Sequence, residues 1–197
     1  MGAAREADPV VGVLALQGDF ADHEAALGRC GLRTRQVRRP EHLEGLAGLV
    51  LPGGESTTML HLLARQGLEE PLRSYLQAGP PVLATCAGMI LLAREVVAPA
   101  QRSYGILDIT VARNGYGRQI ASGTFALSGD GVVDGTTGIF IRAPRILRVG
   151  PAITVLARRG EDPVYVRCGQ TLATCFHPEL DDDHPVVGTF ADLVRAR

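Results

Sequence analysis

The sequence contains no lysine and no tryptophan. All 20 basic residues among its 197 are arginine, and they stand against 21 acidic residues. Without lysine, the chain can supply neither a Walker-type phosphate-binding loop nor Schiff-base catalysis. Its formal net charge of -1 creates no overall field that would attract nucleic acid or an anionic membrane. We therefore expect neither nucleic acid nor a membrane as a partner.

The cysteines also lack the spacing of a metal or redox site, because no two of the four form a C-x-x-C pair. No apolar run approaches the roughly 20 residues that cross a bilayer. The segment from Met1 to Pro9 has no apolar core of the kind that an export signal needs. We therefore expect a cytoplasmic protein with free thiols, no metal and no cofactor.

The order of apolar segments predicts an α/β fold. Hydrophobic residues make up 46% of the chain, which is typical of a globular domain. Short, wholly apolar strands alternate with helices in the first half, which favours a parallel sheet covered on both faces. Short strands from Ile106 to Thr174 predict an antiparallel extension. Residues 10–197 are expected to form a single domain, and residues 1–9 a flexible extension. Helices are predicted at Phe20–Cys30, Ser56–Arg65 with Ser56 as its cap, Gly88–Val96 and Asp182–Val194.

A cysteine lies at a predicted strand-to-helix turn, Ala84–Gly88. A nucleophile at such a turn points out of the carboxyl edge of the sheet. The start of the following helix favours a thiolate, and the backbone N–H of Ala87 would face a developing oxyanion. The pattern around Cys86 is short, however, and a buried core cysteine is the alternative interpretation.

The segment His177-Pro178-Glu179 follows another predicted strand. In an extended segment residues i and i+2 point the same way, so Glu179 is expected to reach the ring of His177. A carboxylate there orients the imidazole, whose other nitrogen would face a thiol. The order Cys86, His177, Glu179 therefore predicts a nucleophile, a general base and its orienting carboxylate.

Two glycines, Gly53 and Gly54, directly follow the strand that ends at Leu51. They permit unusual backbone angles, so the N–H of Gly54 is expected to complete an oxyanion hole with that of Ala87. A plain strand-to-helix turn is the alternative. The run Asp181–His184 suggests either a metal site or a solvated helix start, and we favour a helix start with aspartate as the cap.

The sequence resembles the class I, triad-type glutamine amidotransferases, and within them the glutaminase subunits of pyridoxal 5'-phosphate synthase. The resemblance extends from Val11 to about Val194, although Ala84 stands where that family commonly has glycine. The matching strings are Ala15–Gly18, Leu51–Met59, Thr85–Gly88, Arg113-Asn114, Gly117–Gln119, Phe140–Pro144 and Phe176–Leu180.

The resemblance implies a three-layer, flavodoxin-like fold and L-glutamine as the substrate. It implies an obligate partner, the pyridoxal 5'-phosphate synthase subunit, which forms a dodecameric core with one glutaminase per synthase subunit. Gln17 and Gly18 are expected to face this partner. Glutamine contacts are implied at Gly53, Gly54, Glu55, Arg113, Ile141 and Arg142.

Two other interpretations remain at this point. The chain could be the glutaminase half of another amidotransferase, such as the one that feeds histidine biosynthesis, but that enzyme should lack the strings around Glu55 and Arg142. It could also be a flavodoxin-like binding module with Cys86 as a redox sensor. A sensor thiol has no need of a histidine oriented by Glu179.

Overall fold

The computed structural model describes residues 8–116 and 122–197. The first seven residues of the predicted extension and the Gly117–Gln119 string lie outside them. The strands are β1 (Val10–Leu14), β2 (Arg33–Val37), β3 (Gly48–Leu51), β4 (Val82–Thr85), β5 (Ala93–Val97), β6 (Leu107–Ala112), β7 (Gly123–Ala126), β8 (Thr137–Phe140), β9 (Arg145–Val149), β10 (Thr154–Arg159), β11 (Asp162–Cys168) and β12 (Thr171–Thr174). The helices are α1 (Phe20–Arg29), α2 (Ser56–Arg65), α3 (Glu69–Gln77), α4 (Ala87–Leu92) and α5 (Pro185–Arg195), with 3-10 turns at Pro40–Leu43 and Pro178–Leu180.

The central sheet has seven strands in the order β10-β11-β12-β4-β3-β1-β2. The five strands from β12 to β2 are parallel, while β11 and β10 continue the sheet in antiparallel fashion. The parallel part has the strand order of flavodoxin-like folds. Helix α1 packs against α5, and α2 packs against α3 and α4. The predicted fold class, a mostly parallel α/β sheet with an antiparallel extension, is confirmed.

The middle of the parallel sheet is buried on both faces. Every residue of β3, β4 and β12 is buried, which explains why these strands are apolar without alternation. Their register sets Leu51 opposite Ala84, and Thr174 opposite Thr85. The three strands therefore end together at one edge of the sheet, and the loops that follow them meet there.

The helix predicted over Gly88–Val96 is shorter in the structure. Helix α4 ends at Leu92, and the chain continues as β5, which pairs with β6 in a separate sheet of three strands completed by β9. Val96 and Val97 are β-branched and pair with Val111 and Ala112, so tertiary pairing overrides the helical pattern.

The last helix begins at Pro185, three residues later than predicted. Its cap is His184, whose Nδ1 accepts a hydrogen bond from the N–H of Val186 at 3.3 Å. The prediction of an aspartate cap is therefore wrong. Across the described ranges, no helix is long and apolar enough to cross a membrane.

Candidate active site

Cys86 lies on a tight turn between β4 and α4. Its backbone angles are φ 48° and ψ -102°, a combination that costs a non-glycine residue about 1–3 kcal/mol. Its N–H donates a hydrogen bond to the carbonyl of Thr174 on β12 at 2.8 Å. A Cβ on Gly88 would lie 2.0 Å from the carbonyl oxygen of Leu51. The turn therefore needs a glycine at position 88. Ala87, the predicted oxyanion-hole residue, is buried and is the first residue of α4.

His177 and Glu179 form a short, buried pair. His177 Nδ1 lies 2.8 Å from Glu179 Oε1, and each residue is only 3% exposed. The contact was expected from an extended segment, but Glu179 lies instead in the 3-10 turn Pro178–Leu180 that follows β12. The segment is therefore not extended, but the proline bends the chain into a turn that still brings the carboxylate to the ring. Within the described part of the chain, Glu179 Oε2 is buried without a hydrogen-bond partner.

The surroundings of His177 stabilise its charged form. Burial alone would lower the pKa of this imidazole, but hydrogen bonds with Asp19, Cys86 and Glu179 outweigh burial and raise its pKa. Cys86 and His177 line the same cavity, and the interaction with Cys86 favours the charged imidazole. The group can therefore hold a thiolate against an imidazolium, which is the reactive form of a cysteine–histidine pair.

Two side chains from the start of α1 join this network, although neither was predicted from the sequence to have a role. Asp19 Oδ2 lies 3.3 Å from His177 Nδ1. His23 Nε2 lies 3.1 Å from Thr85 Oγ1 and 3.4 Å from Glu179 Oε1. Burial lowers the pKa of His23. Their spacing could have indicated a place in the site, because residues four apart share a helix face and this helix follows the carboxyl end of β1.

Neighbouring atoms leave no room for a side chain at either of the two glycines after β3. A Cβ on Gly53 would lie 2.4 Å from His177 Cε1. Gly54 has a φ of 136°, and a Cβ there would lie 2.6 Å from Gln17 Nε2. The Gly53-Gly54 backbone is thus adjacent to the imidazole, where the expected oxyanion donor has to be.

The side-chain amide of Gln17 holds the backbone of Glu55, the residue after Gly54, through both its nitrogen and its oxygen. Nε2 donates to the carbonyl of Glu55, and Oε1 accepts from its N–H, each at 3.2 Å. Gly18 has a φ of 85°, and a Cβ there would lie 1.9 Å from the carbonyl oxygen of Gly53. The Gln17-Gly18 loop therefore contacts the glycine loop directly.

Glu55 caps helix α2, a role that the sequence analysis gave to Ser56. Glu55 Oε2 accepts from the N–H of Thr58 at 3.0 Å and from the Thr57 hydroxyl. Its Oε1 accepts from Arg113 Nη2 at 2.8 Å. Partial burial would raise the pKa of Glu55, but these hydrogen bonds and the Arg113 charge keep it below its ordinary value. The two expected substrate contacts thus form a preorganised ion pair.

Ile141 and Arg142 lie on the loop that follows β8. Arg142 has a φ of 47°, and its N–H donates to Ser122 Oγ at 3.1 Å. The side chain of Ile141 is 45% exposed although it is large and apolar. Strained backbone and exposed apolar surface in one short segment are typical of a binding loop.

These elements surround a cavity of about 400 Å³. Its size is in the range of small-molecule sites. Glu179 lies behind the ring of His177, and Gln17, Gly18, Gly53 and Ala87 are not among the lining residues. The cavity is lined by Asp19, Gly54, Glu55, Ser56, Cys86, Ile90, Pro99, Arg113, Asn114, Ile141, Arg142 and His177. It combines a thiol and an imidazole with the cationic and anionic groups that a zwitterionic amino acid needs.

Asp19, His177 and Glu179 also have potential metal-ligand atoms within 4.8 Å of one another. The two carboxylates lie 3.3 Å and 2.8 Å from His177 Nδ1 and stabilise the charged imidazole, which carries a proton on that nitrogen. A protonated Nδ1 has no lone pair to give to a metal.

Comparison with known proteins agrees with this fold. Residues 13–195 match the SNO glutamine amidotransferase family. The chain belongs to this family. It is 49% identical over 185 residues to the pyridoxal 5'-phosphate synthase subunit PdxT of Geobacillus kaustophilus, and this alignment covers 94% of each chain. It is 50% identical to the protein of the same name from Streptomyces griseus, over 95% of this chain and 97% of the relative.

The similarity extends to solved structures. A crystal structure of a glutamine amidotransferase superposes with a TM-score of 0.87 at 46% identity, covering 94% of this chain and 98% of the other. The PurLQS structure from Thermotoga maritima superposes with a TM-score of 0.70 at 18% identity, over 93% and 97% of the two chains. The second likeness is one of fold alone.

Proposed function

We propose that this protein hydrolyses L-glutamine to L-glutamate and ammonia and supplies the ammonia to a pyridoxal 5'-phosphate synthase subunit. Membership of a glutamine amidotransferase family supports the reaction. The destination of the ammonia is supported by relatives that are 49% and 50% identical to this chain and are named as subunits of pyridoxal 5'-phosphate synthase.

The observation that carries the proposal is the position of the Cys86–His177–Glu179 cluster on a cavity that also holds Arg113 and Glu55. A thiol on the same cavity as an imidazole, which a carboxylate holds at 2.8 Å, is the arrangement of acyl-transfer enzymes. The neighbouring ion pair offers one charge for each end of a free amino acid.

The reaction begins with a proton shared between Cys86 and His177. The thiolate attacks the carbon of the side-chain amide, and the carbonyl electrons move to oxygen. The N–H groups of Ala87 and Gly54 bind this oxyanion. His177 then gives its proton to the amide nitrogen, so that ammonia leaves and a thioester forms on Cys86.

Hydrolysis of the thioester reverses the role of the imidazole. The neutral ring of His177 removes a proton from water, and the hydroxide attacks the thioester carbon. The second tetrahedral intermediate collapses, glutamate leaves, and the thiolate of Cys86 is restored beside the imidazolium. Glu179 keeps Nδ1 oriented through both steps.

The substrate is held by the groups around the cavity. Arg113 and Arg142 bind its carboxylate, while Glu55 and backbone carbonyls accept from its ammonium. Glu55 already caps α2 and pairs with Arg113. Substrate therefore has to share or displace that ion pair. Gly53 offers its backbone close to the substrate, and Ile141 offers an apolar side chain.

We assign the partner contact to Gln17 and Gly18, which lie against the glycine loop. The complex is proposed to have a dodecameric synthase core with one glutaminase on each synthase subunit. Assembly of the pyridine ring through imines needs lysine, and this chain has none. Ring assembly therefore belongs to the partner.

The test separates ammonia production from ring assembly. Cys86→Ala removes the nucleophile and little volume, so the variant should fold and bind the synthase subunit of the same organism. Formation of pyridoxal 5'-phosphate from glutamine by this complex should vanish, because no thioester can form. An ammonium salt should restore it.

The control is Cys30→Ala, which removes the half-buried thiol of the residue that follows α1 and should leave glutamine-dependent synthesis intact. If ammonium failed to restore synthesis in an assembled Cys86→Ala complex, Cys86 would have a role beyond ammonia supply and the proposal would be wrong.

A further inference from the structure

Asp19 places a second carboxylate on the proposed general base. It is the residue before α1, and its Oδ2 lies 3.3 Å from His177 Nδ1, while Glu179 Oε1 lies 2.8 Å from the same nitrogen. The Asp19 side chain is 36% exposed and lines the cavity, whereas that of Glu179 is fully buried. One N–H of the imidazole therefore faces two acceptors with different access to solvent.

The four titratable groups around His177 come from three segments. Asp19 and His23 belong to the start of α1, Cys86 to the turn after β4, and Glu179 to the 3-10 turn after β12. His23 is neutral because burial lowers its pKa. Hydrogen bonding to His177 is the main reason why the pKa of Asp19 is low, so Asp19 is ionised at neutral pH. The neighbours of the imidazole are therefore anionic or neutral.

Glu179 does not serve His177 alone. Its Oε1 also lies 3.4 Å from His23 Nε2, and so the carboxylate oxygen that orients the imidazole is shared between two histidines. Asp19 has no such second histidine within ion-pair distance among residues 8–116 and 122–197. Its negative charge acts on His177 directly.

We infer that Asp19 is a positioning residue for His177: its carboxylate is a second acceptor at Nδ1 that holds the imidazole protonated beside Cys86. The inference rests on the proposed function only for its kinetic consequence. The imidazolium must give a proton to the leaving ammonia, so a group that retains this proton extends activity toward alkaline pH.

The direct test follows the protonation of His177 by NMR in protein labelled with ¹⁵N at its five histidines. The His177 signal is assigned by its loss in His177→Asn. Glu179→Gln is the background, because removal of one carboxylate brings deprotonation of the imidazole into the range that can be titrated. Adding Asp19→Asn should lower the inflection by at least about one pH unit, the effect of losing one adjacent opposite charge.

Asp22→Asn in the same background is the matched control. It removes the same charge three residues further along, from an exposed side chain, and should move the inflection by no more than about 0.3 units because solvent screens it. Equal inflections in all three proteins would overturn the inference.

The kinetic test uses the otherwise unchanged protein. Asp19→Asn should move the alkaline limb of kcat/KM for glutamine to lower pH, while Asp22→Asn should follow the wild type. A rise in KM with the limb unmoved would identify Asp19 as a substrate contact and overturn the inference. If the NMR shift occurred and the wild-type protein did not hydrolyse glutamine, the proposed function would fail while the role of Asp19 on His177 would stand.

Discussion

Gly18→Ala should destabilise the protein and disturb the glycine loop, whereas Gly31→Ala should do neither to the same extent. Both glycines have positive φ, 85° and 73°, so each alanine carries about 1–2 kcal/mol of backbone strain. The lower entropy of the unfolded chain offsets about 0.4–1 kcal/mol of that strain. A Cβ at position 31 meets no atom within 4 Å, but one at position 18 would lie 1.9 Å from the carbonyl oxygen of Gly53.

The clash at position 18 involves backbone, which has no rotamer to change. Overpacking of this kind costs about 1–3 kcal/mol, and this is the expected difference in the free energy of unfolding between the two variants. Urea denaturation measures it directly. In thermal denaturation, the gap should be about 2–4 °C for each kcal/mol in a chain of this size.

The same clash should also lower the rate of glutamine hydrolysis. Relief of the contact has to move Gly53 and the adjacent Gly54, and complete loss of one oxyanion donor costs about 10²–10³ in kcat. Gly18→Ala should therefore lose a measurable part of that range, and Gly31→Ala should keep the wild-type kcat. Equal stability and equal kcat in the two variants would refute the argument that the Gln17-Gly18 loop supports the glycine loop.

Two further predictions concern the triad. A glutamine-like electrophile should label Cys86 before the other thiols, because Cys86 lines the cavity while Cys175 is fully buried and burial raises its pKa; peptide mass mapping that found Cys175 labelled first would contradict the site. Glu179→Gln should lower kcat by about ten- to a hundredfold without abolishing activity, because Asp19 still faces His177 Nδ1. Initial rates measure this change, and a loss as complete as that of Cys86→Ala would show that Glu179 does more than orient the base.

The parallel core was predictable because it is buried on both faces. Strands such as β4 and β12 are wholly apolar or small and are bounded by turn residues, which identifies them from local sequence. Strand β9 has little local signal, because only Ile146 of its five residues is buried. It exists by pairing with β6, and that partner is distant in sequence.

The candidate site was predictable where its chemistry is local. Cys86 with its small neighbours and His177 with Glu179 each form a short pattern, and the structure brings them together. Asp19 and His23 escaped because an acidic residue and a histidine at the start of a helix have ordinary structural uses. Their contacts with His177 and Glu179 cross more than 150 positions of sequence, so only the fold reveals them.

The loop Gln17–Asp19 contacts both halves of the proposed machinery. Gln17 holds the backbone of Glu55, Gly18 lies against Gly53, and Asp19 reaches His177. A synthase subunit that docks on this loop would therefore act on the oxyanion hole and on the general base through direct contacts. Coupling of this kind requires no pathway through the core, because the proposed docking surface and the proposed catalytic groups are neighbours. A small displacement of three residues would be enough to change both.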